Sequence, residues 1–179
     1  MDPNDPGHGL PAETALRLLG RLMLAWDGQW FLKVVETCGM EKAVELNARV
    51  RTSFGRIEMR EFLRAKGREG AESLEEALAL MRAYQRLFLG DGIGAAFQVE
   101  GQTVEVAVDR CLPQEGSRKA GVRPDTPCVA CETVWATWLS ALLPGSRWST
   151  EIPASMGRGA ARCRILVRRE EPANAPALG

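Results

Sequence analysis

The sequence predicts an α+β fold in which N-terminal helices precede a small antiparallel sheet with one long helix packed on it. Three observations carry this reading. Apolar residues recur at helical spacing through the first half, up to Gly90. From there the spacing changes from about 3.6 to 2. A later helical segment then gives way to two further short alternating runs.

In the first helix Leu16, Leu19, Leu22, Met23, Trp26, Trp30 and Val34 recur at helical spacing, and Gly39 is the stop. A second helix begins near Glu41. Its stripe is Ala43, Leu46, Val50, Phe54 and Ile57, and Gly67 and Gly70 end it. A third starts at Ser73, an N-cap with Glu76 at the capping-box position, and presents Leu74, Ala77, Leu78, Met81, Tyr84 and Phe88. Phe97 and Val99, then Val104, Val106 and Val108, alternate with polar neighbours across Glu100-Gly101-Gln102, which is a hairpin signal. A loop with Pro113, Gly116, Gly121 and Pro124 leads to a fourth helix. Asp125 or Thr126 is its expected N-cap, Pro127 lies in its first turn, and Pro144-Gly145 ends it. Strands follow around Trp148–Ile152 and Arg162–Arg168, with Gly157-Arg158-Gly159 turning between them. Gly90-Asp91-Gly92-Ile93-Gly94 is no phosphate loop, because a strand and not a helix follows it. The domain is expected over 11–170, with loose ends at 1–10 and 171–179.

Lys+Arg and Asp+Glu both number 23, so no broad electrostatic pull on phosphate backbones exists, and nucleic acid is not an expected partner. The N-terminus lacks the basic start and apolar stretch of a signal peptide. No apolar run approaches the roughly 18 residues that span a bilayer. These readings predict a cytoplasmic protein with no membrane partner, in which thiols stay reduced. A homodimer is kept open.

Four of the five cysteines fall at Cys111, Cys128, Cys131 and Cys163, and two form a CxxC. Cys128, Cys131, Trp135, Trp138 and Leu142 share one helical face, and Cys163, Ile165 and Val167 share one strand face. If that helix packs on that sheet, the sulfurs converge, with Cys111 joining from the end of the preceding strand. Three chemistries use such a cluster. A metal site, with zinc as the expected ion, takes Cys128 and Cys131 with one or two of Cys111, Cys163, Glu132 and Glu151, the all-sulfur set Cys111, Cys128, Cys131 and Cys163 being the leading choice. A nucleophile reading places Cys128 at the helix N-terminus, where the macrodipole lowers a thiol pKa. The sole histidine is His8 in the tail, so Glu132 or Glu151 would be the base. A dithiol redox reading lacks the usual leading βαβ unit. Beside these stands plain packing of small side chains under tryptophans. Trp26, Asp27 and Trp30 are either pocket liners, together with Trp135 and Glu151, or core aromatics around a solvent-facing carboxylate. Gly28 within that helix costs about 1 kcal/mol relative to Ala. Glu58 carries a weaker flag of the same kind.

Trp26-Asp27-Gly28-Gln29-Trp30-Phe31, followed by Gly39-Met40-Glu41-Lys42-Ala43-Val44-Glu45-Leu46, resembles the N-terminal signature of an uncharacterised bacterial and archaeal family. Cys128 to Cys131, Pro144-Gly145, and Gly159-Ala160-Ala161-Arg162-Cys163-Arg164-Ile165 are similar to the C-terminal half of the L-2-amino-thiazoline-4-carboxylic acid hydrolase-like proteins. More distantly, the chain resembles the 4-vinyl reductase domain, a small-molecule-binding module. That domain closes on a Glu, a Cys, then a glycine-preceded Cys. Glu151 and Cys163 match, but Ala154 or its neighbours stand where the middle cysteine belongs. The resemblance implies a small-molecule pocket between helices and sheet. It further implies either a thiol- or metal-dependent hydrolase, or a non-catalytic ligand sensor with a structural zinc.

Overall fold

A computed structural model describes residues 9–90 and 93–171. The expected tails fall largely outside the described residues, as do His8, Asp91 and Gly92. In chain order come α1 (Ala12–Cys38), α2 (Met40–Ala65), α3 (Leu74–Leu89), β1 (Ile93–Glu100) and β2 (Thr103–Cys111). Then follow α4 (Leu112–Lys119), α5 (Cys128–Leu142), β3 (Trp148–Ala154), a 3₁₀ turn (Met156–Arg158) and β4 (Cys163–Arg169). The α+β architecture with N-terminal helices is therefore as the periodicity predicts.

The sheet is antiparallel throughout, in the order β1-β2-β4-β3. The β1–β2 hairpin turns at Gly101, and the register sets Val106 opposite Ile165 and Val108 opposite Cys163. Alternation puts Val104, Val106 and Val108 inward on β2, and Ile165 and Val167 inward on β4. Against that face packs α5, through buried Val134, Trp135, Trp138, Leu139 and Leu142. Behind α5 lie α2 and α3, so α5 is the middle layer. An edge-to-face chain of rings runs from Phe97 through Trp135, Trp138 and Tyr84 to Phe62.

Local chemistry explains the helix starts. Ser73 Oγ accepts from Glu76 N at 3.2 Å, as the capping box predicts, whereas the Glu76 carboxylate reaches back to Glu72 N at 2.7 Å. The segment expected to be loop after Cys111 holds a short helix, α4. Pro113 and Glu115 in its first turn, and Arg118 and Lys119 in its last, suit the two ends of the helix dipole in spite of Gly116.

Two expected apolar faces are corrected. The second half of α2 turns Gly55, Glu58, Met59, Phe62 and Leu63 inward, while Val50 and Ile57 are exposed. Glu58 is the reason. Its buried carboxylate accepts from Trp138 Nε1 at 2.9 Å and has Arg51 at 3.5 Å, so α2 docks on α5 by a polar anchor that an apolar count overlooks. In α1 no residue is buried, and Trp26 and Trp30 are exposed instead of forming core.

Candidate functional site

The thiol cluster forms where three elements end together. β2 runs out at Cys111, α5 begins at Cys128, and β4 begins at Cys163. A bulge between Glu151 and Ala154 gives β3 one residue more than β4 across that stretch. Pro153, tolerated because β3 is an edge strand, lies within it. The bulge carries the chain over the start of α5 as the 3₁₀ turn. This turn is pinned to the sulfurs. Ser155 Oγ and Cys128 Sγ lie 3.0 Å apart, Met156 N donates to Cys163 Sγ at 3.3 Å, and Gly157 N donates back to Ser155 Oγ at 3.1 Å. Gly157 has no room for a side chain: a Cβ there would stand 2.7 Å from Cys128 Sγ and 2.7 Å from Pro124 O.

Behind the turn is a small cavity of about 30 Å³, lined by all four of Cys111, Cys128, Cys131 and Cys163. Pro127, Ile152, Met156 and Ile165 complete its wall together with Gln114, and the wall is apolar throughout. Gln114 is 6% exposed, and its Nε2 has no hydrogen-bond partner among the described residues. The indole of Trp135 does not line the cavity and lies against the Cys131 thiol. An unsatisfied buried donor costs about 1–3 kcal/mol.

Two of the sulfurs, those of Cys131 and Cys111, are held in their neutral form. Cys131 keeps some accessible surface as a residue, but its thiol is enclosed. Burial pushes its pKa up to about 12, and the neighbouring sulfurs of Cys111, Cys128 and Cys163 add to the rise, against a small opposing effect of the Trp135 indole. Cys111 is also raised, chiefly by burial, while the Gln114 backbone N–H opposes the shift. No group of three or more His, Cys, Asp or Glu among the described residues stands in an arrangement that holds a metal ion.

The other expected site residues lie elsewhere. Glu132 is at the surface, where Arg158 donates to its carboxylate at 2.7 Å, and it does not line the cavity. Glu151 is exposed on β3 and paired with Arg168. Trp135 packs in the core beside Cys131. Trp26, Asp27 and Trp30 face solvent on α1. Sequence reasoning did not find Gln114, Ser155, Met156 or Gly157. For Gln114 a signal existed in the proline-led start of α4. For the turn residues none did, because their role depends on the bulge.

A family model described as a family of unknown function, DUF6125, matches residues 13–151. No curated protein matches the chain. Among solved structures it is similar to a trafficking protein particle complex subunit 3 from Naegleria fowleri, covalently bound to palmitic acid. There the TM-score is 0.60 at 15% identity, over 87% of this chain and 97% of that one. It is also similar to the phenol-responsive sensory domain of the transcription activator PoxR with phenol. That TM-score is 0.53 at 14% identity, over 79% of this chain and 71% of the other. At these identities the likeness is one of fold.

Proposed function

We propose a small-molecule-binding role for this chain, which belongs to the DUF6125 family of unknown function. The site is the thiol-lined cavity at the start of α5, and the role is binding without catalysis. The observation that carries the reading is the apolar, sulfur-walled cavity, beside which the Gln114 amide is buried without a partner among the described residues. Such a wall favours a small, uncharged, largely apolar molecule, and the amide favours one with a single oxygen acceptor. The shared fold with a phenol-responsive sensory domain supports the same class of ligand. As it stands, about 30 Å³ has room for little more than a water, whereas roughly 150 Å³ accommodates benzene. Ligand entry therefore requires the 3₁₀ turn to lift off Cys128 and Cys163. The long acyl chain held by the other structural neighbour is far too large for this space.

A hydrolase of the thiazoline-carboxylate type would use Cys128 as nucleophile and Glu132 as base. Glu132 is instead engaged with Arg158 outside the cavity, which favours binding over catalysis. Zinc held by the four sulfurs is the second reading. It rests on the donor count that zinc takes, and it requires the sulfurs to draw together from their present positions.

The test is a titration of the protein with phenol, followed by amide chemical shifts. Saturable shifts are expected around 111–114, 127–131, 155–157 and 163–165. Gln114→Leu should weaken binding about tenfold, the worth of one hydrogen bond. Shifts that never saturate, that map elsewhere, or that are equal in the variant would overturn the proposal. Metal analysis of untagged protein decides the second reading: about one zinc per chain, lost in Cys131→Ser, would replace the first.

A further inference from the structure

The solvent face of α1 is an unclaimed helix-pairing seam, and we infer that it is covered by the same seam of a second copy of this chain. Ala12, Leu16, Leu19, Met23, Trp26 and Trp30 follow one another at alternating steps of four and three. That is the strict spacing of a seam for one partner helix, narrower than the stripe that packs on a globular core. The opposite side of α1 already has its contacts. A Cβ at Gly20 would stand 2.9 Å from Phe88 O, and Leu24, Phe31 and Val35 on that side are half-buried. The seam is turned away from them. Trp26 is 66% and Trp30 62% exposed, and no residue of the 27-residue helix is buried.

The exposed area matches what a stable dimer needs. From their fractional exposures, the seam residues Leu16, Leu19, Met23, Trp26 and Trp30, together with Leu22 flanking them, leave roughly 750 Å² open to water, against about 800 Å² per partner in a standard interface. A monomer's largest apolar patch is typically about 300–600 Å². Among residues 1–8 and 172–179 the large apolar side chains are Met1 and Leu178, while α1 is about 40 Å long. A membrane surface fits poorly as well. Arg17, Arg21 and Lys33 are balanced on α1 by Glu13, Asp27 and Glu36, whereas interfacial helices carry a cationic polar face.

The residue sizes choose an orientation. An antiparallel pairing about Arg21 sets Trp30 against Ala12, Trp26 against Leu16, and Met23 against Leu19 of the second copy. Large then meets small in the outer layers, and the two helix dipoles oppose one another. A parallel pairing would stack Trp26 on Trp26 and Trp30 on Trp30.

Sedimentation of the full chain tests this. At about 50 µM it should run at twice the 19.6 kDa chain mass. Leu19→Glu with Trp26→Glu should weaken the dissociation constant at least about 100-fold and leave a monomer, since buried aromatic anchors dominate such interfaces. The far-UV spectrum should be unchanged. Val99→Glu, which alters an exposed apolar residue on β1, should remain dimeric. A wild-type monomer at that concentration, or a dimer that survives the double change, overturns the proposal. So does a monomer that co-floats with vesicles of phosphatidylglycerol and phosphatidylcholine. The cavity titration is independent of this outcome, because the seam and the cavity share no residue.

Discussion

Gly157→Ala adds one methyl group at the point where the 3₁₀ turn crosses the start of α5. The new Cβ would lie 2.7 Å from Cys128 Sγ, 2.7 Å from Pro124 O and 2.9 Å from Asp125 Cα. Ordinary carbon contacts begin near 3.5 Å, so the turn must retreat by about 0.8 Å. Two of the three obstacles are backbone atoms, which cannot swing aside as a side-chain tip would. Retreat stretches the 3.0 Å Ser155–Cys128 contact and the 3.3 Å Met156–Cys163 contact, the two bonds that close the cavity. Overpacking of this kind costs about 1–3 kcal/mol. For a chain of this size that is a fall in Tm of about 2–12 °C. The control is the same chemical change at Gly116, inside α4, where an added Cβ meets nothing within 4 Å. There the gain in helix propensity should stabilise by about 0.5–1 kcal/mol. Calorimetry reads both, and the rate of Cys128 labelling by an aromatic disulfide reagent reads the lifted turn. Equal melting temperatures for the two variants, or unaltered Cys128 labelling in Gly157→Ala, would refute the account of the turn as a lid.

Two further expectations follow from the thiols and the buried carboxylate. Cys131 titrates near the ordinary thiol value when unfolded but only at about 12 when folded. The unfolded state therefore loses its proton first, and stability should be constant below the ordinary value and fall between about pH 9 and 12. The slope approaches 1.4 kcal/mol per pH unit for this one group. Urea titrations against pH in wild type and Cys131→Ala check it, and a slope unchanged in the variant would count against the enclosed thiol. Removing the acceptor for Trp138 Nε1, Glu58→Ala should cost about 2–4 kcal/mol, because a buried donor is left unpaired. Glu58→Gln keeps an acceptor and should cost less than about 1.5 kcal/mol. Equal losses would mean that α2 docks on α5 by volume alone.

The fold was legible where periodicity has one meaning. The β1–β2 hairpin, the inward side of β4 and the tryptophan face of α5 follow from alternation or helical spacing within single segments. The thiol convergence followed too, since it needs only that α5 packs on β4. What escaped depends on context. The apolar stripe of α1 reads as a core face whether its partner is the same chain or another, and no spacing distinguishes the two. Glu58 faces inward against its type because Trp138, 80 positions away, brings a donor to it. The 3₁₀ turn over the cysteines was invisible because the bulge that aims it is a property of the β3–β4 register, not of any residue pattern.

On the binding role proposed above, charge decides which ligands the cavity takes. Burial holds Cys131 and Cys111 protonated, so neither of these two thiols adds negative charge to the wall. Nor does a buried cation wait for an anion. Arg158, the arginine beside Cys128, is held at the surface by Glu132. A carboxylate ligand would therefore be desolvated with only the Gln114 amide in return, and an uncompensated buried charge costs far more than one hydrogen bond recovers. A neutral phenol or amide escapes that penalty and still satisfies the orphan donor. The same reasoning ranks the outcomes of a mixed titration: phenol should outcompete benzoate of similar size, and Glu132→Gln, by releasing Arg158, should narrow the gap between them.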